Sequence, residues 1–404
     1  MKKLIAMLLA LVMVFSLAAC SAGGEGGGKA SDDADVAGVG NSNFDLESGN
    51  TSKVDKAKLT EEKGTFKIAF SYGQFTDKLG SQFKNALEYL AANYNCEMVF
   101  FEGTSGDEGI TALESVLSAG DIDGVIQVGG SAANVAAANK YKVPYVFACG
   151  FPSQEEEIKG CIGYDNFLGG VIDDDVWAGE HCIEALYDAG CRNITYSGLT
   201  QGYVKSHDDR YKAMHTVLER HPDMNLLAEN YSMGLWADDI ATFNASFSNI
   251  EGMGFSAMID GVYTALESEG IADGSVKIAA VDISSMTGQY FQNGVQVWTC
   301  GGQYATAMVA WAVLYNYLMD GTRIIPDPAQ PLIRQYIEIT SYEEYEQYVK
   351  YVEGALPSYD ADEIADMIHY LNPDVTYADY ETEAHTYSLA DIVARHAYYY
   401  DPQG

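Results

Sequence analysis

Basic side chains are scarce in this chain of 404 residues. Lysine and arginine together number 23, against 58 aspartates and glutamates, which gives a formal net charge of −35. Nucleic-acid binding depends on basic groups that neutralise phosphates, and binding to an anionic lipid surface depends on the same groups. The composition therefore excludes both kinds of partner, and the acidic excess predicts a body that stays in solution.

Catalytic motifs are also lacking. The sequence has neither a Gly-x-Ser-x-Gly elbow nor a His-Glu-x-x-His motif, and its seven histidines lack metal-ligand spacing. Asp173, Asp174 and Asp175 are consecutive acids, and we interpret them as the first turn of a helix, where the positive end of the dipole favours them. We therefore expect no enzyme activity, no cofactor and no bound metal.

Cysteine pairs with the spacing of a redox or zinc motif are missing as well. Apart from Cys20, the cysteines are Cys96, Cys149, Cys161, Cys182, Cys191 and Cys300. Several of them lie in apolar, strand-like runs, which favours buried free thiols. Export would permit disulfides, but no pairing follows from the spacing.

No apolar run in the leader is long enough to span a bilayer. Lys2 and Lys3 precede an apolar stretch, 4–15, of about a dozen residues, whereas a spanning helix needs about 20. The following Leu17-Ala18-Ala19-Cys20 resembles the bacterial lipobox, which implies a signal peptide over 1–19 and lipid attachment at Cys20. An ordinary secretory peptide with an incidental cysteine is the alternative. The polar, glycine-rich stretch that follows predicts a flexible linker over 20–64.

Beyond this linker, short apolar strands alternate with segments of helical periodicity. The predicted strands are 67–70, 97–101, 124–128, 144–148, 193–197, 225–231, 256–259 and 276–281. The predicted helices between them are 77–93, 109–118, 131–140, 173–189, 206–220 and 238–250. Such alternation predicts parallel sheets covered by helices on both faces, here as two doubly wound lobes. Ligands bind such sheets at the carboxyl ends of the strands.

An ordered set of landmarks resembles the type I periplasmic sugar-binding proteins, the family of ribose- and galactose-binding proteins. The most specific is the stretch 163–170, in which Asp165-Asn166 is followed by Gly169-Gly170. The others, in chain order, are Gln74-Phe75, Arg210, Trp236, Asp260, Asp282 and Gln303. The resemblance covers about residues 65–350.

This resemblance implies two lobes joined by a three-strand hinge. It implies an N-terminal lobe of 65–165 plus 303–324 and a C-terminal lobe of 166–302 plus 325–352. A mainly helical extension, 353–404, follows. Just before this extension, four tyrosines recur at helical spacing: Tyr342, Tyr345, Tyr348 and Tyr351. We interpret them as packing a helix against a lobe, and a carbohydrate-stacking surface is the alternative.

The resemblance also implies a ligand site between the lobes. A sugar needs fixed polar partners for its hydroxyls and flat aromatic rings for its apolar faces. Phe75 and Trp236 would supply the rings. The polar candidates are Gln74, Ser131, Asn166, Arg210, Asp260, Asp282 and Gln303.

Each candidate has a structural alternative. Phe75 would serve equally as core, Trp236 as a helix start, and Asp260 and Asp282 as helix caps. Arg210 would pair with Asp208 or Asp209, and Asn166 would serve the hinge. The segment 129–132 (Gly-Gly-Ser-Ala) lacks the carboxylate of ribose-type members, so the identity of the ligand stays open.

The predicted function is that of a monomeric lipoprotein on the extracytoplasmic side of the cell membrane, at the cell surface or in the periplasm. It would capture a sugar-like molecule and deliver it to the permease of an ABC transporter. A sensor that presents its closed form to a membrane receptor kinase is the alternative, and a hydrolase is a more remote one.

Overall fold

The structure is a computed structural model that describes residues 44–46, 48–49, 53–103, 106–202, 204–234, 236–258 and 260–401, without the side chain of Asp260. The predicted signal peptide, Cys20 and most of the predicted linker lie outside these residues. Within the described part of the chain, no helix combines the length and the apolar character that crossing a bilayer requires.

Two six-stranded sheets form the centre of the described chain, with the strand orders β11-β5-β4-β3-β1-β2 and β12-β10-β9-β8-β6-β7. Within the described residues, neighbouring strands pair in parallel except β10 with β12. The strands are β1 Phe66–Tyr72, β2 Cys96–Glu102, β3 Gly124–Val128, β4 Tyr145–Ala148, β5 Phe167–Asp173, β6 Asn193–Leu199, β7 Asn225–Ser232, β8 Gly252–Phe255, β9 Lys277–Val281, β10 Gln296–Gly301, β11 Leu332–Arg334 and β12 Ile337–Ile339. The prediction of two doubly wound parallel sheets is confirmed.

Helices connect the strands and extend the chain at its C-terminal end. They are α1 Lys56–Lys63, α2 Lys78–Asn93, α3 Gly106–Leu117, α4 Ala132–Lys140, α5 Glu155–Ile162, α6 Asp175–Asp188, α7 Lys205–Arg220, α8 Trp236–Ser246, α9 Asp260–Ser268, α10 Thr287–Gln292, α11 Tyr304–Asp320, α12 Tyr342–Tyr351, α13 Ala361–Asp366, α14 Tyr377–Thr386 and α15 Leu389–Tyr400. Helix α2 shows why they form where they do. Asp77 caps its first turn through the amide of Gly80, and Phe83, Leu87 and Leu90 bury one face.

The chain crosses between the two sheets three times. The first crossing follows Asp173, the second lies between Gly301 and Tyr304, and the third joins Arg334 to Ile337. The sequence placed the first crossing after Asp165, which is wrong because β5 pairs with β4 and β11 in the first sheet. The two glycines of that motif lie inside β5, where Gly169 adopts φ 105° and lies against Ile325.

The strand that was predicted at 256–259 lies earlier in the sequence, at 252–255. The strand is β8, Gly252–Phe255, and it pairs with β6 and β9. Two of its four residues are glycines that lie against neighbouring side chains, such as Gly252 against Cys191. The β-propensity of the residues therefore does not locate this strand. Glycine is required here because neighbouring side chains approach the strand backbone closely.

The predicted linker is structured near its C-terminal end. Phe44 and Val54 are buried, and α1 buries Leu59. The amide of Asp45 donates to the carbonyl of Ala355 at 2.8 Å, and the amide of Lys53 donates to the Asp362 carboxylate at 3.1 Å. The prediction of a flexible segment up to residue 64 is thus wrong for these residues.

The C-terminal helices pack against the hinge and both sheets. On the first-sheet side, the hydroxyl of Tyr94 donates to the carbonyl of Ala361 at 2.7 Å. On the second-sheet side, the ring of Tyr345 covers Gly288 so closely that a Cβ there would lie 2.3 Å from it. Tyr348 is 1% exposed, so the tyrosine stripe packs a helix inward, as the first interpretation held.

The six described cysteines are all free. Cys149 is half-buried and the other five are buried. Burial raises the pKa of each thiol, which keeps it protonated and inert. The prediction of buried free thiols is confirmed for five of them.

Candidate functional site

A cavity of about 820 Å³ lies where the carboxyl ends of the two sheets meet. Strands β1 and β3 of the first sheet end at Tyr72 and Val128, and β6 of the second ends at Leu199; all three residues line the cavity. Parallel strands direct their carboxyl ends toward one edge of a sheet, so two such sheets enclose a cleft between them. Its volume lies within the range of about 300–1,000 Å³ that is usual for small-molecule pockets.

Polar residues from both lobes and from the crossings line this cavity. They are Tyr72, Gln74, Asp77, Asp173, Asp174, Asp175, Lys205, Ser206, His207, Asp209, Arg210, Asp282, Gln303 and Tyr336. Four of the nine predicted ligand residues are among them: Gln74, Arg210, Asp282 and Gln303.

Arg210 lies at the centre of a buried network. Its Nε donates to Asp175 Oδ1 at 2.9 Å, its Nη1 to the carbonyl of Ser256 at 2.6 Å, and its Nη2 to the hydroxyl of Tyr336 at 2.8 Å. The hydroxyl of Tyr336 in turn donates to Asp175 Oδ1 at 2.8 Å. The partner of the arginine is therefore Asp175, not Asp208 or Asp209 as the alternative interpretation proposed.

This network joins the second lobe to two of the crossings. Asp175 opens α6 directly after the first crossing, and Tyr336 lies in the third crossing, while Arg210 belongs to α7. Burial raises the pKa of the Asp175 carboxyl, and the adjacent guanidinium of Arg210 opposes that rise. Each of the three guanidinium nitrogens thus donates within the protein, and the arginine holds the second lobe to the hinge.

Asp282 stands at the carboxyl end of β9 in an uncommon backbone conformation. Its φ is 73°, and its carboxylate Oδ1 accepts a hydrogen bond from Nε2 of Gln303, at the second crossing. Burial raises the pKa of this carboxyl, while Arg210 and the Gln303 amide lower it. The left-handed conformation turns the side chain out of the strand and into the cavity.

Asp173 ends β5 at the first crossing and is 4% exposed. Its Oδ1 accepts a hydrogen bond from the hydroxyl of Thr306 at 2.6 Å, and Arg334 donates to that same hydroxyl at 3.0 Å. Burial raises the pKa of Asp173 to about 7, against the opposing hydrogen bond from Thr306. This group therefore changes its charge near neutral pH.

His207 supplies a neutral ring to the cavity. Its Nδ1 lies 2.8 Å from Oγ of Ser256, and the same Oγ accepts the amide of Leu199 at 3.2 Å. Burial, together with the charge of Arg210, lowers the pKa of His207 to about 3. The imidazole therefore carries no charge at neutral pH and can offer its Nε2 to a ligand.

Exposed aliphatic side chains border the polar groups. Val176, Val204 and Ile333 line the cavity and are 50%, 38% and 47% exposed, respectively. They lie on α6, next to α7 and on β11, so the second lobe and the hinge both contribute. Apolar surface of this kind is covered when an organic ligand binds.

The two predicted aromatic residues do not line the cavity. Phe75 packs into the first-lobe core, 5.4 Å from the ring centroid of Phe100. Trp236 is 3% exposed, and its indole nitrogen donates to the carbonyl of Gly198 at 3.1 Å. Both residues take the core or helix-start role that was the structural alternative for them.

Asn166 and Ser131 are also placed outside the cavity lining. Asn166 precedes β5 at the end of that strand opposite to Asp173, and its amide donates to the carbonyl of Val143 at 2.8 Å. Ser131 caps α4 together with Asn134. The side chain of Asp260 lies outside the described residues.

The residues that the sequence analysis missed come mainly from the crossings. The acids 173–175 were interpreted as a helix start, which holds for Asp174, since it caps α6 through the amide of Trp177 at 2.9 Å. Asp173 could have been found by the signal that found Asp282, an acid directly after an apolar strand. Tyr336 carried no such signal, because only the fold brings the third crossing to the cavity.

Among the described residues, one group combines a histidine with carboxylates at metal-binding distance: Asp360, Glu363 and His396. Its oxygens already have partners. Glu363 is paired with Arg395 at 2.6 Å, and Asp360 caps α13. These contacts make the group a structural network that holds α13 to α15.

Comparison with known proteins shows likeness of structure and not of sequence. No protein-family model matches the chain, and no curated protein matches it. Among solved structures, a galactofuranose-binding protein superposes with a TM-score of 0.61 at 14% identity, over 71% of this chain and 99% of its own.

Two further structures are similar to the same extent. A periplasmic solute-binding protein of an ABC transporter from Actinobacillus succinogenes, with bound D-allose, has a TM-score of 0.60 at 16% identity, over 70% of this chain and 100% of its own. A solute-binding protein from Bacillus halodurans, with bound myo-inositol, has a TM-score of 0.58 at 17% identity, over 70% and 98%. The neighbours are thus covered almost completely, and nearly a third of this chain has no counterpart in them. The chain has the fold of the type I periplasmic binding proteins.

Proposed function

We propose that this chain is an extracytoplasmic solute-binding lipoprotein. It captures a sugar-like molecule between its two lobes and delivers it to the permease of an ABC transporter. The observation that carries the proposal is the cavity at the carboxyl ends of both sheets, lined by polar side chains from each lobe and from the crossings between them.

The lining suits a polyhydroxylated ligand. Asp282, Gln303 and His207 offer fixed polar atoms, and Val176 and Ile333 offer apolar surface at the border of the same cavity. A sugar presents both kinds of surface. Three structural neighbours support this class of ligand: one binds galactofuranose, one has bound D-allose and one has bound myo-inositol.

Capture would proceed by closure of the two lobes. Three crossings form a hinge, and Asp173, Gln303 and Tyr336 lie on them while also lining the cavity. A ligand that contacts both lobes favours the closed state by the contacts that only this state allows. The proposal includes no catalytic step, because Ser256, whose Oγ lies 2.8 Å from Nδ1 of His207, is 1% exposed and is not part of the cavity lining.

Attachment to the membrane would come from Cys20. Replacement of Cys20 by alanine should shift the protein from the membrane fraction to the soluble fraction, and mass spectrometry of the native N-terminal peptide should show the acyl mass. A variant that stays in the membrane fraction would contradict the lipoprotein assignment.

The ligand class is tested by a thermal-shift screen of the purified full chain against sugars, polyols and nucleosides. A ligand of the native state raises the midpoint in proportion to RT ln(1 + [L]/Kd). We expect sugars or polyols to raise it. A rise with nucleosides alone would contradict the proposed ligand, and turnover of a sugar that binds would contradict the carrier role.

Delivery is tested in cells. Deletion of the gene should abolish uptake of the ligand found in the screen, and the Asp282→Ala variant should fail to restore it. Uptake that persists without the gene, together with loss of a transcriptional response to the ligand, would favour the sensor instead.

A further inference from the structure

The two basic side chains of the cavity are already hydrogen-bonded to the protein. All three nitrogens of Arg210 donate to Asp175, Ser256 and Tyr336, as described above. Lys205, the other basic residue of the lining, is paired with Asp209. The charge of each basic side chain is thus balanced by an aspartate of the same cavity, Asp175 for Arg210 and Asp209 for Lys205.

The two amides of the lining are engaged in the same way. Gln303 donates through Nε2 to Asp282, and Gln74 donates through Nε2 to Asp77 at 3.1 Å. His207 stays neutral because burial and Arg210 lower its pKa to about 3. Both amides thus donate to aspartates of the cavity itself, and neither the amides nor His207 adds positive charge to the lining.

The carboxyl groups, in contrast, outnumber the basic side chains. Six aspartates line the cavity: Asp77, Asp173, Asp174, Asp175, Asp209 and Asp282. Only Asp175 and Asp209 form ion pairs with basic residues. Asp77 and Asp174 cap helices, and Asp282 accepts from a neutral amide. A ligand rich in donors is complementary to such a lining, whereas a carboxylate or phosphate is repelled.

Two of these carboxylates belong to opposite lobes. Asp77 lies at the start of α2 in the first lobe, and Asp282 lies at the end of β9 in the second. The charge of Asp77 acts on the Asp282 carboxyl across the cavity. A closure that brings the two carboxyl groups nearer to each other would be opposed by like-charge repulsion unless a positive group lies between them.

The lining also favours an organic cation over a metal ion as the ligand. Val176, Val204 and Ile333 are exposed at the border of the same cavity, and a bare ion covers no apolar surface. The volume of about 820 Å³ is far larger than an ion needs and suits a molecule with a carbon scaffold.

We propose that the ligand carries a protonated amine on a sugar- or polyol-sized scaffold, with the ammonium group between Asp77 and Asp282. An ammonium group offers three donors and no acceptor. It satisfies both carboxylates and turns the repulsion across the cleft into an attraction that favours the closed state. This inference rests on the proposed function and specifies the ligand of the same cavity.

Matched ligands test the charge separately from the scaffold. D-glucosamine, D-galactosamine and D-mannosamine are compared with their parent hexoses and with their N-acetyl forms, by thermal shift and calorimetry on the purified full chain at pH 7. We expect at least one amine to bind at least about tenfold more tightly than both of its uncharged counterparts.

Every other outcome counts against the inference. If a parent hexose or an N-acetyl form binds as well as the amine, the amine is overturned while the proposed sugar-binding function stands. If a sugar phosphate or a uronic acid binds more tightly, the charge is of the opposite sign. If no compound of these sets binds, both the amine inference and the sugar-like scaffold of the proposed function are overturned.

A variant pair locates the amine. Asp282→Asn should reduce the affinity for the amine by about tenfold or more and leave that for the parent hexose within a fewfold. Asp188→Asn removes the same charge at the exposed end of α6 and should change neither. An equal loss for amine and hexose in Asp282→Asn would show that Asp282 binds a hydroxyl, which overturns the placement. Circular dichroism confirms that each variant is folded.

Discussion

The hydroxyl of Tyr387 donates a hydrogen bond of 3.1 Å to the carbonyl of Gly302. This contact ties the C-terminal helices to the second crossing between the lobes. The third crossing is held by the same helices, because Arg334 pairs with Glu383 at 3.3 Å and the amide of Gln335 donates to the carbonyl of Ala384 at 3.0 Å. The C-terminal helices therefore support the hinge directly.

Replacement of Tyr387 by phenylalanine tests this support. Tyr387 is 2% exposed and its hydroxyl also lies 3.0 Å from Oγ of Ser358, so its loss removes buried hydrogen bonding at the hinge, which costs about 0.5–1.5 kcal/mol. Urea unfolding should show this loss, and hydrogen exchange should be faster at the hinge amides. Tyr399→Phe is the control, since Tyr399 is half-buried and only its ring makes contacts, and its stability should stay within about 0.5 kcal/mol of the parent. Equal stability of the two variants would contradict the support of the hinge by the Tyr387 hydroxyl.

The buried pair of Arg210 and Asp175 should be far more sensitive than a surface pair. Asp175→Ala leaves the guanidinium buried without its counter-charge, and we expect a loss of about 3–5 kcal/mol in chemical denaturation. Asp121→Ala removes the partner of Lys67 at the surface and should leave the unfolding midpoint nearly unchanged. Similar losses in both variants would mean that Arg210 finds another partner.

Asp173 should make the protein less stable as the pH rises. Its pKa is about 7 in the folded chain, against 3.8 when unperturbed, so the folded state binds more protons between these values. The stabilisation is complete below about pH 4 and is lost as the pH rises through 7. Asp173→Asn should therefore be more stable than the parent at pH 8 by up to about 4 kcal/mol, with the gain vanishing toward pH 4. A gain that is independent of pH would contradict the elevated pKa.

His207 should act with the opposite sign. Its pKa is about 3 in the folded chain, against 6.5 when unperturbed, so the unfolded state binds more protons in this interval. Stability is complete above about pH 6.5 and is lost as the pH falls toward 3. His207→Gln should remove part of this acid sensitivity in thermal scans between pH 7 and 4. NMR titration of the ring should show no protonation above pH 5, and a midpoint near 6.5 would contradict the burial argument.

The sequence predicts much of the fold because the alternation of strands and helices is periodic and local. The first crossing is misplaced because its prediction rests on the resemblance of the stretch 163–170 to the family, whereas Gly169 lies inside β5, close against Ile325. The sequence also displaces β8, since glycine has no β-propensity to read. Local patterns therefore fail where a neighbouring element selects the residue.

The site is predicted less well, for a different reason. The sequence brings Asp282, Gln303 and Arg210 to the cavity lining because a polar residue at a strand or helix end is visible in sequence. Phe75 and Trp236 lie outside that lining, because an aromatic residue beside a strand end fits a core as well as a ligand site, and only tertiary packing decides. The engagement of every nitrogen of Arg210 likewise depends on residues far away in the chain.

The contact between Tyr94 and Ala361 also bears on the order in which the chain can fold. Tyr94 lies in the first lobe, yet its hydroxyl and that of Tyr89 are bonded to a segment more than 260 residues later in the chain. Contacts of such long range cost chain entropy before they contribute any stability. The first lobe is made early but cannot complete its core until the last helices have been synthesised. A chain truncated before Ala361 would expose that unfinished surface, and we expect it to be held by chaperones or degraded.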